Sequence, residues 1–259
     1  MMKSTASITL ALAITLGLVA CDKASSPLGP QPDVSPSLTS LEGLEATSGL
    51  SQSEQTFPFR RILCFGDSIT YGVTSRTADS WQSLANVEGY VPKLRKLLKQ
   101  EYGEGIQVIN SGIGAENSSD GVERLNGEVA IYNPDLVLLL EGIIDVGNDD
   151  PAFNLVRKNL EKMIDIVRRR DSQVIVGTYP RLHPEGFRIN GIENVPRLND
   201  VIRDTARRQA VLVADHEMAA RGDLSGQGPD GLHPNDKGYD LMSQTWLEVI
   251  QEMVADLST

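Results

Sequence analysis

From Arg61 onward, short apolar runs alternate with longer amphipathic stretches. The runs lie at 62–65, 106–110, 136–140, 174–177 and 211–214, each bounded by turn-forming residues. Continuous apolar runs of four or five residues suit central strands covered on both faces. Between them, the stretches 90–102, 120–132, 152–170, 196–210 and 236–257 repeat apolar residues at helical spacing, and Asp, Ser or Asn precedes several of them as a cap would. A strand–helix alternation repeated five times predicts an α/β domain over 59–259: three layers around one doubly wound, mainly parallel, five-stranded sheet. In such sheets the functional site forms at the carboxyl ends of the strands.

Ahead of that domain the chain reads differently. Lys3 supplies a positive start, and the apolar run from 8 to 19 is too short for a spanning helix. It ends in Leu18-Val19-Ala20-Cys21, which resembles the bacterial lipobox, where cleavage precedes a cysteine that receives lipid. This implies a lipoprotein signal peptide over 1–20, lipid on Cys21, and a place in the cell envelope, periplasmic or at the outer surface, with the membrane engaged through that lipid. The alternative is an ordinary secretory signal that happens to end near a cysteine. Residues 21–58 are rich in Ser, Pro and Gly, with prolines at 27, 30, 32, 36 and 58. They hold too little apolar surface to offset their ordering entropy and are expected to form a flexible tether. As a random coil it would span about 30–35 Å.

Charge and cysteine count narrow the partners. The 259-residue chain has a formal charge of −11, which repels phosphate backbones and argues against nucleic acid. Cys21 and Cys64 are its two cysteines. With lipid on Cys21, Cys64 has no partner in the chain, and its apolar strand predicts a buried, inert thiol.

Two segments carry candidate chemistry. The first run breaks into Gly66-Asp67-Ser68-Ile69-Thr70. A serine just past a buried strand, on a glycine-containing turn, is placed as a nucleophile whose own N–H can face a developing oxyanion. Asp67 and Ser68 serve equally well, on this segment alone, as caps of the next helix. Near the other end stands Asp230-Gly231-Leu232-His233-Pro234. Serine hydrolysis needs an imidazole held in one tautomer by a carboxylate, and an Asp three residues before a His can fold back onto the ring. The plain alternative is a surface loop with a solvated His233. His183 and His216 are rival bases, but neither combines an upstream carboxylate at that spacing with a following helix start. Asp215 is adjacent to His216, and neighbouring side chains on a strand end diverge.

Phe65-Gly66-Asp67-Ser68-Ile69-Thr70 resembles the first block of the GDSL/SGNH hydrolases, and Asp230-Gly231-Leu232-His233-Pro234 resembles their last, with a helix following. The resemblance spans about residues 61 to 250 and implies the flavodoxin-like SGNH fold. It makes Ser68 the nucleophile, His233 the general base and Asp230 its orienting partner, with no cofactor and no metal. Thr70 stands where the nucleophile elbow of α/β-hydrolases has its second glycine, so the turn is of a different kind. The inner blocks fit less well. Ala115 falls at the position of an oxyanion-donating glycine, and Gly114 shifts the register by one if taken instead. In the third block Gly142 and Asp145 match, but Ile144 replaces the asparagine that usually donates to the oxyanion. Loss of such a donor costs about 2.7–4 kcal/mol of transition-state stabilisation. Asn117 and Asn148 are the candidates to compensate.

Other signals weigh less. Gly112 and Gly114 lack the third glycine of a dinucleotide fingerprint, since Asn117 stands there. The acidic stretch 145–150 departs from a calcium loop at Asp150 and Val156, and no His, Glu or Cys spacing points to zinc. Arg168, Arg169 and Arg170 read as a helix end complementing its dipole. Arg181 and His183, at the end of the fourth strand, border either the substrate or plain solvent. The sequence therefore predicts a serine ester hydrolase, of acyl- or acetyl-esterase or lipase type, acting on a small ester: a lipid, an acylated glycan or a small acyl ester. The alternatives are a binding lipoprotein that kept the scaffold and lost turnover through Ile144, and a carbohydrate O-deacetylase.

Overall fold

In the computed structural model, residues 57–74, 89–147, 151–186 and 191–259 are described. The expected signal peptide, Cys21 and all of the tether but its last two residues lie outside them.

Five strands form one sheet: β1 (Arg61–Gly66), β2 (Gln107–Gly112), β3 (Leu136–Leu140), β4 (Gln173–Gly177) and β5 (Leu212–Ala214). Every pairing is parallel, in the order β2-β1-β3-β4-β5. The five apolar runs of the sequence thus become the five strands, with shifts of one or two residues at most ends. All of β3 is buried, and so is β1 beyond its first residue, as expected where helices cover both faces. At the edge, β2 is only partly covered, with Val108 and Ser111 buried and its other residues half-buried or exposed.

The long helices coincide with the amphipathic stretches: α2 (Tyr90–Tyr102), α3 (Ser118–Tyr132), α5 (Phe153–Arg168), α6 (Val195–Gln209) and α8 (Asp236–Leu257). On α5, Val156, Leu160, Met163, Ile164 and Val167 form one buried stripe at helical spacing. Helices α2 and α8 pack together in one layer, whereas α3, α5 and α6 pack in sequence in the other. Three four-residue helices complete the fold, α1 (Ser68–Tyr71), α4 (Ile143–Val146) and α7 (His216–Ala219), of which only the first, the helix after Asp67, was expected. One turn is too short for periodicity to show, and all three start within a few residues of a strand's carboxyl end.

Helix α5 ends at Arg168, and the Arg168 guanidinium donates to the carbonyls of Gln209 at 2.5 Å and Ala210 at 3.3 Å. Besides standing in the last turn of its own helix, as expected, it serves the end of α6, whose last carbonyls lack intrahelical donors.

The topology places the site. In this strand order the chain changes direction of winding between β1 and β3, and the crevice at that switch point is the natural binding place. The register sets Gly66 of β1 between Gly112 of β2 and Leu140 of β3, so three strands end side by side there.

Candidate active site

The turn leaving β1 is built by close approach. A Cβ on Gly66 would lie 2.1 Å from the carbonyl oxygen of Leu140, and one on Gly112 would lie 2.0 Å from the amide nitrogen of Tyr71. Only glycine fits at either strand end, so the first turn of α1 drops between β2 and β3. Asp67 caps that turn: its Oδ1 accepts from the Ile69 amide at 2.8 Å. Ser68 is the first helical residue and is 5% exposed. One helix layer pins the turn from outside: Tyr90 of α2 donates to Thr70 Oγ1 at 3.1 Å, and Tyr239 of α8 donates to the Val73 carbonyl at 2.5 Å.

The segment before α8 meets this turn. His233 Nε2 lies 2.9 Å from Ser68 Oγ, and His233 Nδ1 lies 2.6 Å from Asp230 Oδ2. An ionised carboxylate only accepts, so the imidazole proton sits on Nδ1 and Nε2 is left to accept from the serine hydroxyl. Asp230 Oδ1 accepts from the amides of Leu232 at 3.1 Å and His233 at 3.0 Å, which locks the carboxylate. Burial alone would raise the Asp230 pKa, but the His233 ring and these amides hold it below the ordinary carboxylate value. The loop is braced further by the Gly228 amide on the His233 carbonyl at 2.9 Å and by Asn235, which caps α8. The cap and nucleophile-turn readings of Asp67-Ser68 are therefore compatible: the same turn is capped by the aspartate and presents the serine.

The rival histidines are elsewhere. His216 is 1% exposed, packs edge-on against Trp246 at 5.0 Å, and neither ring nitrogen has a hydrogen-bond partner. Burial lowers its pKa to about 3, so it is neutral. Asp215 turns away from it toward Arg203 and Thr178. His183 accepts the Glu185 amide on its Nδ1, while its own amide donates to the Gly231 carbonyl at 3.0 Å. The loop after β4 thereby leans on the Asp230–His233 turn through its main chain, with Arg181 exposed beside it.

On the oxyanion side, Ala115 is exposed and adopts φ +61°, a left-handed conformation that costs a residue with a Cβ about 1–2 kcal/mol. Gly114, beside it, has no positive φ and is half-buried. The next residue, Glu116, is clamped by Arg124 of α3 through bonds of 2.7 and 2.5 Å. The same guanidinium reaches Ser111 Oγ at 2.5 Å and lies 3.9 Å from the centroid of the Phe65 ring. Asn117, a candidate compensating donor, is engaged at the start of α3. Its Oδ1 caps α3 and its Nδ2 donates to Asp120 at 2.7 Å. Asn148 lies outside the described residues. Ile144 sits on α4, half-buried, with its side chain packed against the core.

Beneath the site lie buried polar groups, of which Tyr179 and Glu141 stand outside the motif residues. Asp67 is fully buried, and its Oδ2 accepts from the Tyr179 hydroxyl at 2.6 Å. Burial raises its pKa to about 6, against the pull of the Tyr179 and Ile69 donors. Glu141, 1% exposed just past the end of β3, has no partner for either oxygen, and burial together with Asp67, Glu116 and Asp145 pushes its pKa well above the ordinary carboxylate value. Asp145 accepts the Ser118 amide and hydroxyl, both at 2.8 Å. The signal for these residues was their position: each polar side chain stands at, or just past, the carboxyl end of an apolar strand. Among the described residues no three ligating side chains gather as a metal site would require.

Residues 64–241 match the family described as GDSL-like Lipase/Acylhydrolase. The chain is similar to a multidomain esterase of Ruminococcus flavefaciens, 27% identical over 245 residues, covering 83% of this chain and 31% of the relative. It is also similar to an arylesterase of Vibrio mimicus, 30% identical over 116 residues, covering 45% of this chain and 52% of the relative. It thus spans about a third to a half of the length of these two curated relatives. Among solved structures, a lipase/acylhydrolase from Enterococcus faecalis superposes with a TM-score of 0.61 at 28% identity, covering 76% of this chain and 96% of that one.

Proposed function

This chain belongs to the GDSL-like lipase/acylhydrolase family, and from that membership we propose that it is a carboxylic ester hydrolase using Ser68 as nucleophile. One observation carries the reading: a hydroxyl, an imidazole and a carboxylate stand in line at 2.9 and 2.6 Å. Ser68 Oγ attacks the ester carbonyl carbon as its proton passes to His233 Nε2. Asp230 holds the ring and stabilises the imidazolium. The tetrahedral oxyanion rests on the main-chain N–H groups of Ser68 and Ala115, with Gly114 adjoining. As the alcohol leaves, it takes the proton from His233. Water, deprotonated by the same imidazole, then attacks the acyl-enzyme and releases the acid, returning the proton to Ser68.

The substrate in this proposal is a small ester, and the likeness of Leu18-Val19-Ala20-Cys21 to a lipobox supports a lipid anchor at a bacterial envelope. Labelling with tritiated palmitate that is lost in Cys21→Ser tests the anchor. Ile144 supports a second reading, a binding lipoprotein on a hydrolase scaffold, because isoleucine offers no donor where the family usually has asparagine. Hydrolysis of p-nitrophenyl acetate, longer p-nitrophenyl esters and acetylated sugars by the purified protein separates these. Turnover abolished by Ser68→Ala supports the hydrolase. A preference for acetylated sugars makes it an O-deacetylase, and no turnover on any ester leaves the binding reading.

A further inference from the structure

Tyr179 stands just beyond β4, fully buried, and its hydroxyl is engaged by neither neighbouring strand. It donates to Asp67 Oδ2 at 2.6 Å and accepts, more weakly, from the Ile143 amide at 3.4 Å. Asp67 immediately precedes the serine, and Ile143 opens the short helix that carries Ile144. One phenol oxygen therefore joins the nucleophile turn after β1 to the turn after β3, across the switch point of the sheet. We propose that Tyr179 is a positioning residue, whose hydroxyl fixes the spacing between Ser68 and the β3 turn that borders the oxyanion.

This rests on Ser68 being the nucleophile. The main chain of Tyr179 is held independently of its hydroxyl. Its amide donates to Asn199 Oδ1 at 2.8 Å and its carbonyl accepts from Asn199 Nδ2 at 2.9 Å, and Asn199 is itself fully buried on α6. The ring is thus placed by packing and by α6, and the hydroxyl adds the tie between the two turns. Asp67 needs that tie, because its remaining donor is the Ile69 amide while Glu116 repels its charge from nearby. Without the phenol, nothing holds Oδ2 of Asp67 toward β4, and the capped turn presenting Ser68 is free to shift. Shifts of an ångström at a reacting atom are enough to cost about a hundredfold in rate.

The test compares wild type, Tyr179→Phe, Asp67→Asn and the double variant on p-nitrophenyl acetate, with thermal unfolding of each. Tyr179→Phe is expected to lower kcat by about ten- to a hundredfold with KM within about twofold, since the lost hydroxyl touches no substrate. The double variant should lose no more than the worse single one, because both substitutions break one link. Fluorophosphonate labelling of Ser68 should slow in step with kcat. A Tyr179→Phe enzyme within twofold of wild type in kcat overturns the proposal, and so do losses that simply add in the double variant. If Tyr179→Phe does not fold, Asp67→Asn alone decides through the same kcat and KM split. Should Ser68→Ala keep full activity, the hydrolase reading itself fails. An essential Ser68 with an unaffected Tyr179→Phe defeats the positioning role alone.

Discussion

His233 Nε2 lies 2.9 Å from Ser68 Oγ, although 165 positions separate them in the chain. Neither side chain reaches far. Ser68 is held at the switch point by the end of β1, and His233 is carried there by a tight turn whose outgoing helix α8 packs back against α2. Their distance already allows proton transfer, so no closing motion is required to assemble base and nucleophile.

Asp230→Asn tests the orienting carboxylate. The amide keeps the size of the side chain but no longer selects the Nδ1–H tautomer. The expected loss is about ten-thousand-fold in kcat with little change in KM, as in serine proteases altered at the equivalent position. Steady-state kinetics on p-nitrophenyl acetate measure it, and a loss under tenfold would mean that the carboxylate does not set the tautomer.

Ile144→Asn tests the oxyanion side. Restoring a carboxamide where the family usually has one should raise kcat by at least about tenfold, toward the hundred- to thousandfold that one such donor supplies elsewhere. An unchanged kcat means that the oxyanion is already fully held by other groups.

Ala115→Gly should stabilise the protein. The left-handed backbone at φ +61° costs alanine about 1–2 kcal/mol, part of which the greater entropy of unfolded glycine takes back. Urea unfolding should show a net gain of a few tenths to about 1 kcal/mol. A loss of stability would mean that the alanine methyl contributes more than the backbone strain.

Much of this was legible beforehand because strong local signals coincide with the topology. The five apolar runs could only be strands of a covered parallel sheet, and the two terminal motifs mark where their chemistry meets. What stayed hidden depends on contacts between distant segments. Nothing in Tyr179-Pro180 announces a hydroxyl against Asp67, 112 positions away. Asn117 looked like a spare donor because its capping role depends on where α3 begins, and that start came two residues earlier than the spacing predicted. His216 looked like a possible base because burial, which leaves it neutral and unpaired, cannot be read from a residue beside an aspartate.

Asp67→Asn separates stability from function. Burial raises the Asp67 pKa from its ordinary value near 3.8 to about 6. A carboxyl raised on folding favours the folded state while it is protonated. Its stabilising contribution is complete below about pH 4 and disappears as pH climbs through 6. The asparagine variant lacks that loss, so its stability relative to wild type should be greater at pH 8 than at pH 4, by up to about 3 kcal/mol. Chemical unfolding at both pH values decides it. Equal differences at the two pH values would mean that Asp67 does not titrate in this range.

The most direct measurement is covalent labelling of the purified protein with a fluorophosphonate, followed by intact mass and peptide mapping. The account predicts one adduct, on Ser68, absent in Ser68→Ala and formed much more slowly in His233→Ala. Absence of any adduct at saturating probe, or an adduct on a different residue, would contradict it.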